Sequence, residues 1–234
     1  MPNSGDWMVV MQTAEAPSVV GLALPDRVVD SCEVGVDRRH SGDLAPKLAG
    51  LMAKNMVSIE QIGSVAVSRG PGGYTGLRVG LASALALTLV KDARLIAVPT
   101  LEGMAWQCPA EWNSVRMVAD ALRGRAFIQE FNRREDGWEA ASPMELVEWA
   151  SFGTAQANHQ QIPWAGPGGL LAAKWGIQIL EDAPTRPNLE GLRLAALHRL
   201  RKGWADSPSE VDILYGQPSS AEEQWKKLHP ERVV

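Results

Sequence analysis

The sequence predicts an α/β fold with a regular first half and a smaller, less regular second half. Three observations carry this. Apolar runs of strand length alternate with runs at helical spacing; a strand hairpin comes first and crossover segments follow; and Cys108-Pro109 breaks a helix near the middle of the 234 residues, which divides the chain into units of 1–108 and 109–234.

Trp7 to Met11 is apolar, Thr13 to Ser18 holds turn formers with Pro17, and Val19 to Leu24 is apolar again, so an antiparallel hairpin is expected. Pro25-Asp26 punctuates before a third extended run, Val28 to Glu33. Leu44, Leu48, Leu51 and Met52 then fall at helical spacing after the cap candidates Ser41 and Asp43, with Pro46 in the first turn. A strand over Ser64 to Ser68, a glycine loop, a helix over Thr75 to Val90, a strand over Arg94 to Val98 and a helix from Thr100 to about Gln107 complete the first half. This order matches the half-domain of the actin and ribonuclease H-like superfold, in which hairpin-linked strands precede crossover helices.

In the second half, Val115 to Ala121 and Ala126 to Asn132 read as strands around a turn at Leu122 to Arg125. Ile162 to Ala165 and Ile177 to Leu180 read as short buried strands separated by Gly166 to Gly169 and a helical stretch. Asn188 to Lys202 is an amphipathic helix carrying Leu189, Leu192, Ala195, Ala196 and Leu200 on one side, and Asp206 to Ser220 is loop-like. No fixed-period repeat stands out.

A chain of this length buries roughly 70–75% of its unfolded surface and needs no staples. The net charge of -4 lacks the basic footprint of a protein that grips nucleic acid alone, so any RNA contact is expected through a partner. Cys32 and Cys108 stand far apart without metal-ligand spacing, which suits a reducing cytoplasm, and neither a secretory leader nor a membrane span is expected. His40, His159, His198 and His229 are scattered, with no His-x-x-x-His pair, so no metal site is expected. Nine Trp against three Phe and two Tyr are spread along the chain without a basic stacking platform. Trp225-Lys226-Lys227 is the single aromatic-basic cluster.

The stretch Ser68 to Val90 organises the rest. Gly70, Gly72, Gly73 and Gly76 allow close backbone approach, while Pro71 fixes one φ. The loop lacks the Gly-Lys-Ser/Thr of a phosphate-binding P-loop, since Leu77-Arg78 follows Gly76, so it reads as structural, with the Thr75 hydroxyl capping the helix. Between Arg78 and Lys91 no charge occurs, and such a helix needs cover on every side. Its own core supplies all of that cover, or a second helix supplies part of it.

Arg69, Gly70, Pro71, Gly72, Thr75, Gly76, Leu77, Arg78 and Gly80 resemble the Arg-Gly-Pro-Gly-Ser-Phe-Thr-Gly-Leu-Arg-Ile-Gly signature of the TsaB (YeaZ) family. Weaker echoes are His40-Ser41 before the first helix, Val98-Pro99-Thr100-Leu101, Asp120-Ala121 with Gly124, and Gln224 to Lys227. The sequence departs from the family at Gln12, where the usual Ile-Asp-Thr-Ser has a Mg²⁺-organising Asp, and at Leu122, Arg125 and Phe127. An uncharged Gln cannot replace that carboxylate.

The resemblance implies a two-lobed actin-like fold and a non-catalytic subunit in threonylcarbamoyladenosine modification of tRNA. The implied partners are a TsaD-like transferase, joined through a four-helix core, and a TsaE-like ATPase, with tRNA reached through the complex. A homodimer through the same face is implied when the transferase is missing. No cofactor of the chain's own is implied, beyond a nucleotide weakly held or shared with the partner. His40, Leu44, Leu48, Leu51, Leu81, Ser83, Ala84 and Leu87 are expected to supply the contact face, Arg69, Gly70, Gly72, Gly73, Thr75, Gly76 and Arg78 to shape the loop, and Ala84→Arg to break assembly while leaving the monomer folded. The alternatives are a nucleotide-binding ATPase or kinase relic, against which Gln12 counts, and a homodimeric module with a different partner.

Overall fold

The computed structural model describes residues 6–35, 40–90, 92–150 and 162–216. The first sheet contains β1 (Trp7–Gln12), β2 (Ser18–Leu24), β3 (Arg27–Val34), β4 (Ile62–Ser68) and β5 (Arg94–Val98), in the order β3-β2-β1-β4-β5. β1, β2 and β3 form an antiparallel meander, whereas β4 lies parallel to β1, with Val65 beside Val9, and β5 parallel to β4.

Period-two alternation sends the side chains of β1 to two different cores. Trp7, Val9 and Met11 join Val65 and Val67 against α1 (His40–Lys54) and α2 (Tyr74–Val90). Met8 and Val10 join Ala66 and Ile96 on the opposite face. Because both faces are covered, the central strands read as continuous apolar runs instead of alternating ones.

α3 (Thr100–Ala105) leads into the second sheet, which contains β6 (Ser114–Asp120), β7 (Arg125–Arg134), β8 (Gly137–Ala140), β9 (Glu145–Glu148) and β10 (Trp164–Ala165). Its order is β10-β6-β7-β8, with β9 also pairing β7. The pattern echoes the first sheet: β8, β7 and β6 are antiparallel, β10 is parallel to β6, and a single parallel bridge from Trp164 to Ile179 stands where β5 would. α4 (Gly169–Lys174) follows β10 as α2 follows β4. This is the actin-like arrangement expected from the element order, with the second copy shortened.

α5 (Leu189–Arg201) returns to the first sheet, where Leu189, Leu192, Ala195 and Ala196 cover the Met8 and Val10 face. It begins as the sequence requires, with the Asn188 side chain accepting the Gly191 N–H at 2.8 Å. Arg199 of α5 donates to Glu102 of α3 at 2.9 and 2.7 Å. Burial works against the Arg199 charge, but the Glu102 pairing outweighs it and raises the pKa.

Several expectations need correction. α1 starts at His40, so Pro46 falls in its second turn instead of the first. α3 stops at Ala105, and the strand expected over Ile177 to Leu180 is reduced to the Ile179 bridge. β8 and β9 went unread because each is only four residues long and carries glutamates on an exposed side. Among the described residues no helix is long and apolar enough to cross a membrane.

Both cysteines are free thiols, Cys108 buried beneath the second sheet. Burial pushes the Cys108 thiol up to about 12, and burial also raises Cys32. At pH 8 a maleimide should therefore leave Cys108 unlabelled in the native protein and label it fully in urea, as peptide mass spectrometry will read out. Rapid native labelling of Cys108 would contradict this packing.

Candidate partner-binding face and its glycine loop

The turn after β1 is built around Gln12, whose side chain is 2% exposed. Its Oε1 accepts the Ala14 N–H at 2.9 Å and the Ser68 hydroxyl at 3.0 Å, while the Ser68 oxygen accepts the Thr13 N–H at 3.1 Å. These bonds tie the β1–β2 turn to the end of β4, where the glycine loop starts. A carboxylate at residue 12 would bring a charge into this buried position, whereas the neutral amide satisfies it.

The loop then lies directly against that turn. The Gly73 N–H donates to the Ala14 carbonyl at 2.7 Å, and the Gly73 carbonyl accepts the Leu77 N–H at 3.0 Å, which starts α2. Gly73 is therefore at the cap position, and Thr75 lies exposed inside the first turn, contrary to the capping role expected of it. A Cβ at Gly76 would overlap the Thr13 carbonyl oxygen, and one at Gly80 the Thr13 hydroxyl. Glycine at those positions lets α2 approach the turn at backbone distance.

Arg69 is half-buried; its N–H donates to the Val98 carbonyl at 2.9 Å and its carbonyl accepts the Leu214 N–H at 2.7 Å. Arg78 lies over the loop's end: its Nε donates to the Tyr215 hydroxyl at 2.8 Å and its guanidinium lies 4.3 Å from the Tyr74 ring centre. Gly72 is exposed and packs beside Ala14, and Gly70 takes a φ of 113°.

The expected contact face divides differently. Leu44, Leu48, Leu51, Leu81 and Ala84 are all buried within the chain's own core, Ala84 completely. They already pack on the sheet and so offer no free area, which corrects the assignment made from helical spacing. Ser83 and Leu87 are half-buried, and of His40 only the backbone, the first residue of α1, is described.

The residues left outside are Ala45, Pro46, Ala49, Gly50, Ala53 and Lys54 on α1 and Tyr74, Thr75, Arg78, Ala82, Ala86, Leu89 and Val90 on α2. The two helices pack side by side and run in the same direction, because each is a crossover between parallel strands. From Ala45 to Ala53 the one charge is the half-buried Lys47, whose Nζ donates to the Glu33 carbonyl, and from Ala82 to Val90 there is none; Lys54 and Arg78 are exposed beyond these stretches. Large apolar side chains protrude at their C-terminal ends: Met56 is 90% exposed and Leu89 83%. Leu77, Leu81 and Ala84 took the core side and Ala82, Ala86 and Leu89 the outside, a division that a helix apolar on all sides does not reveal in sequence.

A separate open cleft of about 440 Å³ lies between the β1–β2 turn and the start of α5, lined by Glu15, Val19, Val28, Arg186 and Leu189 among others. Burial raises the Glu15 carboxyl and Arg186 pulls it back. His198, the histidine whose side chain is described most fully, is 3% exposed beside Trp106 and Trp204, with Nδ1 3.0 Å from the Asp136 carbonyl. Among the described residues no group of His, Cys, Asp or Glu could hold a metal ion. His159, His229 and the Trp225 to Lys227 cluster lie outside the described residues.

One internal repeat went unread. Gly70 to Gly73 and Gly166 to Gly169 are the same tetrapeptide, Gly-Pro-Gly-Gly, and each follows the strand parallel to its lobe's first strand. Gly70 and Gly166 take nearly the same φ, 113° and 116°. With two copies there is no fixed period for a sequence to show; the equivalence appears only with the topology.

Comparison with known proteins places these features. A family model described as TsaD, tRNA N6-adenosine threonylcarbamoyltransferase, matches residues 34–153. The Escherichia coli tRNA threonylcarbamoyladenosine biosynthesis protein TsaB is 31% identical over 208 residues, covering 82% of this chain and 85% of the relative. The Bacillus subtilis protein of the same name is 24% identical over 62% of this chain and 64% of its own length. A Pseudomonas aeruginosa crystal structure, of an uncharacterized protein with similarity to peptidase YeaZ, superposes with a TM-score of 0.77 over 90% of this chain and 99% of that one, at 19% identity.

The loop contact predicts a definite cost. Gly76→Ala forces the Thr13 carbonyl away from α2 and should lower stability by about 1–3 kcal/mol, the range for overpacking a tight contact. Urea unfolding followed by tryptophan fluorescence will measure it, and an unchanged midpoint would contradict the contact.

Proposed function

The chain belongs to the TsaB (YeaZ) family of tRNA threonylcarbamoyladenosine biosynthesis proteins, and from that membership we propose that it is a non-catalytic subunit that holds a TsaD-like transferase in its active arrangement. The observation that carries the proposal is the uncharged, small-residue face of α1 and α2. Two parallel helices with Ala45, Ala49, Ala53, Ala82 and Ala86 outward leave room for two partner helices to approach at the short end of the usual 8–10 Å interaxial range. Met56, Leu89 and Val90 supply the larger apolar contacts at one end.

The match of residues 34–153 to a family model of the transferase supports the reading that the two chains share these crossover helices. Two chains built on the same crossover helices can pair through the same faces, and a second copy of this chain would occupy that face when the transferase is absent. A TsaE-like ATPase would join the assembled pair, and tRNA would be held through the complex, since a chain of net charge -4 lacks a basic footprint of its own.

The nucleotide-hydrolase reading has weaker support. Gln12 is uncharged and its oxygen is engaged within the β1–β2 turn, so it gives no ligand to a hydrated Mg²⁺. A peptidase reading has no support from His198, which is enclosed by tryptophans and paired with a backbone carbonyl.

Co-purification with the TsaD-like protein of the same organism, with mass determination, tests the proposal. Wild type should give a stable heterodimer. Ala86→Arg should weaken it at least 100-fold, or about 2.7 kcal/mol, while leaving the monomer folded. Ala84→Arg, which places a charge where the chain is fully buried, should instead prevent folding. A heterodimer unaffected by Ala86→Arg would move the interface elsewhere.

A further inference from the structure

Residues 206–216 run without helix or strand structure, yet they are held at successive points along the first lobe. The Asp206 N–H donates to the Leu95 carbonyl at 2.8 Å, and its carboxylate accepts the Ala97 N–H at 2.8 Å, so the open edge of β5 is closed. Val211 and Ile213 pack against the core beneath α1 and α2. The Leu214 N–H donates to the Arg69 carbonyl at 2.7 Å, and Gly70 lies so close that a Cβ there would overlap the Leu214 carbonyl oxygen. Tyr215 stacks on Tyr74 with ring centres 4.9 Å apart and accepts from Arg78. Gly216, at a φ of 66°, then lies against the ring of Phe127 in β7, where a Cβ would overlap it.

The duplicated loop shows what this segment replaces. In the second lobe Gly166 lies against the Val118 carbonyl of its own sheet, and its N–H donates to Pro184 at 2.7 Å. In the first lobe the corresponding glycine lies against residue 214, which comes from the far end of the described chain.

We propose that residues 206–216 form a strap that is the glycine loop's own ligand: it fixes the loop and the first turn of α2, and through Gly216 and Phe127 makes that shape depend on the position of the second lobe. Tyr74, Thr75 and Arg78 are the exposed residues at the N-terminal end of the same α2 side that carries Ala82 and Ala86. The strap therefore holds one end of the partner-binding face, and its effect on partner affinity, though not on the loop, rests on the function proposed above. Tyrosine and arginine are among the side-chain types that contribute most to binding.

Hydrogen exchange on the full-length chain, read by mass spectrometry, tests the strap without any partner. Leu214→Pro removes the N–H given to Arg69, Tyr215→Ala removes the stack, and Gly216→Ala, whose Cβ overlaps the buried Phe127 ring, displaces the strap from β7 without altering any residue of the loop. Each should raise exchange at least tenfold in peptides covering 69–78 and leave peptides covering 131–140 unchanged. Should Leu214→Pro fail to fold, the other two variants decide the matter. Unchanged exchange at 69–78, or an equal rise throughout the chain, would overturn the strap. In the second arm, Tyr215→Ala should weaken binding of the TsaD-like protein about tenfold. If wild type binds no such partner, the interface reading fails while the exchange result stands; if wild type binds and Tyr215→Ala binds equally well, the strap's link to the face is overturned.

Discussion

The contact of one backbone on another, the β1–β2 turn against the first two turns of α2, sets the rest of this molecule. Thr13 and Ala14 lie where side chains at Gly72, Gly76 and Gly80 would be, so α2 leaves β4 at one angle only. From that angle Leu77, Leu81 and Ala84 are carried inward, and Ala82 and Ala86 are left outside. The glycines thus place a helix whose far side is small and uncharged from Ala82 to Ala86. Gln12 belongs to the same arrangement, since its amide oxygen holds the turn to Ser68 from within.

Much of the first lobe was legible in the sequence because each strand is a short apolar run between turn formers and each crossover helix has a distinct start. β1, β2, β4, β5 and α2 lie within two residues of where the runs place them. The family was legible too, because the motif from Arg69 to Gly80 fixes residue types at positions that admit no Cβ. Which side of α2 faces the sheet was not legible. In α2 every side is apolar or small, so periodicity cannot say which residues face the sheet, and the larger leucines take the core because they gain more from leaving water.

The second lobe was harder to read for a physical reason. Its strands equivalent to β4 and β5 have shrunk to two residues and to a single bridge, too short to carry alternation. What survived is the tetrapeptide Gly166 to Gly169, whose backbone shape is needed even when the strand before it is nearly gone. The chain then closes on its first lobe twice, with α5 on one face of the sheet and residues 206–216 along the edge of β5 and over the glycine loop. Such long-range returns carry no local sequence signal.

The central claim is that this chain acts by holding a transferase and not by catalysis of its own. The most direct measurement is threonylcarbamoyl transfer to tRNA by the TsaD-like protein of the same organism, assayed with this chain, without it, and with its Ala86→Arg variant. The account predicts transfer that requires the wild-type chain and is lost with the folded variant. Transfer at the same rate without the chain, or with Ala86→Arg in place of wild type, would contradict it.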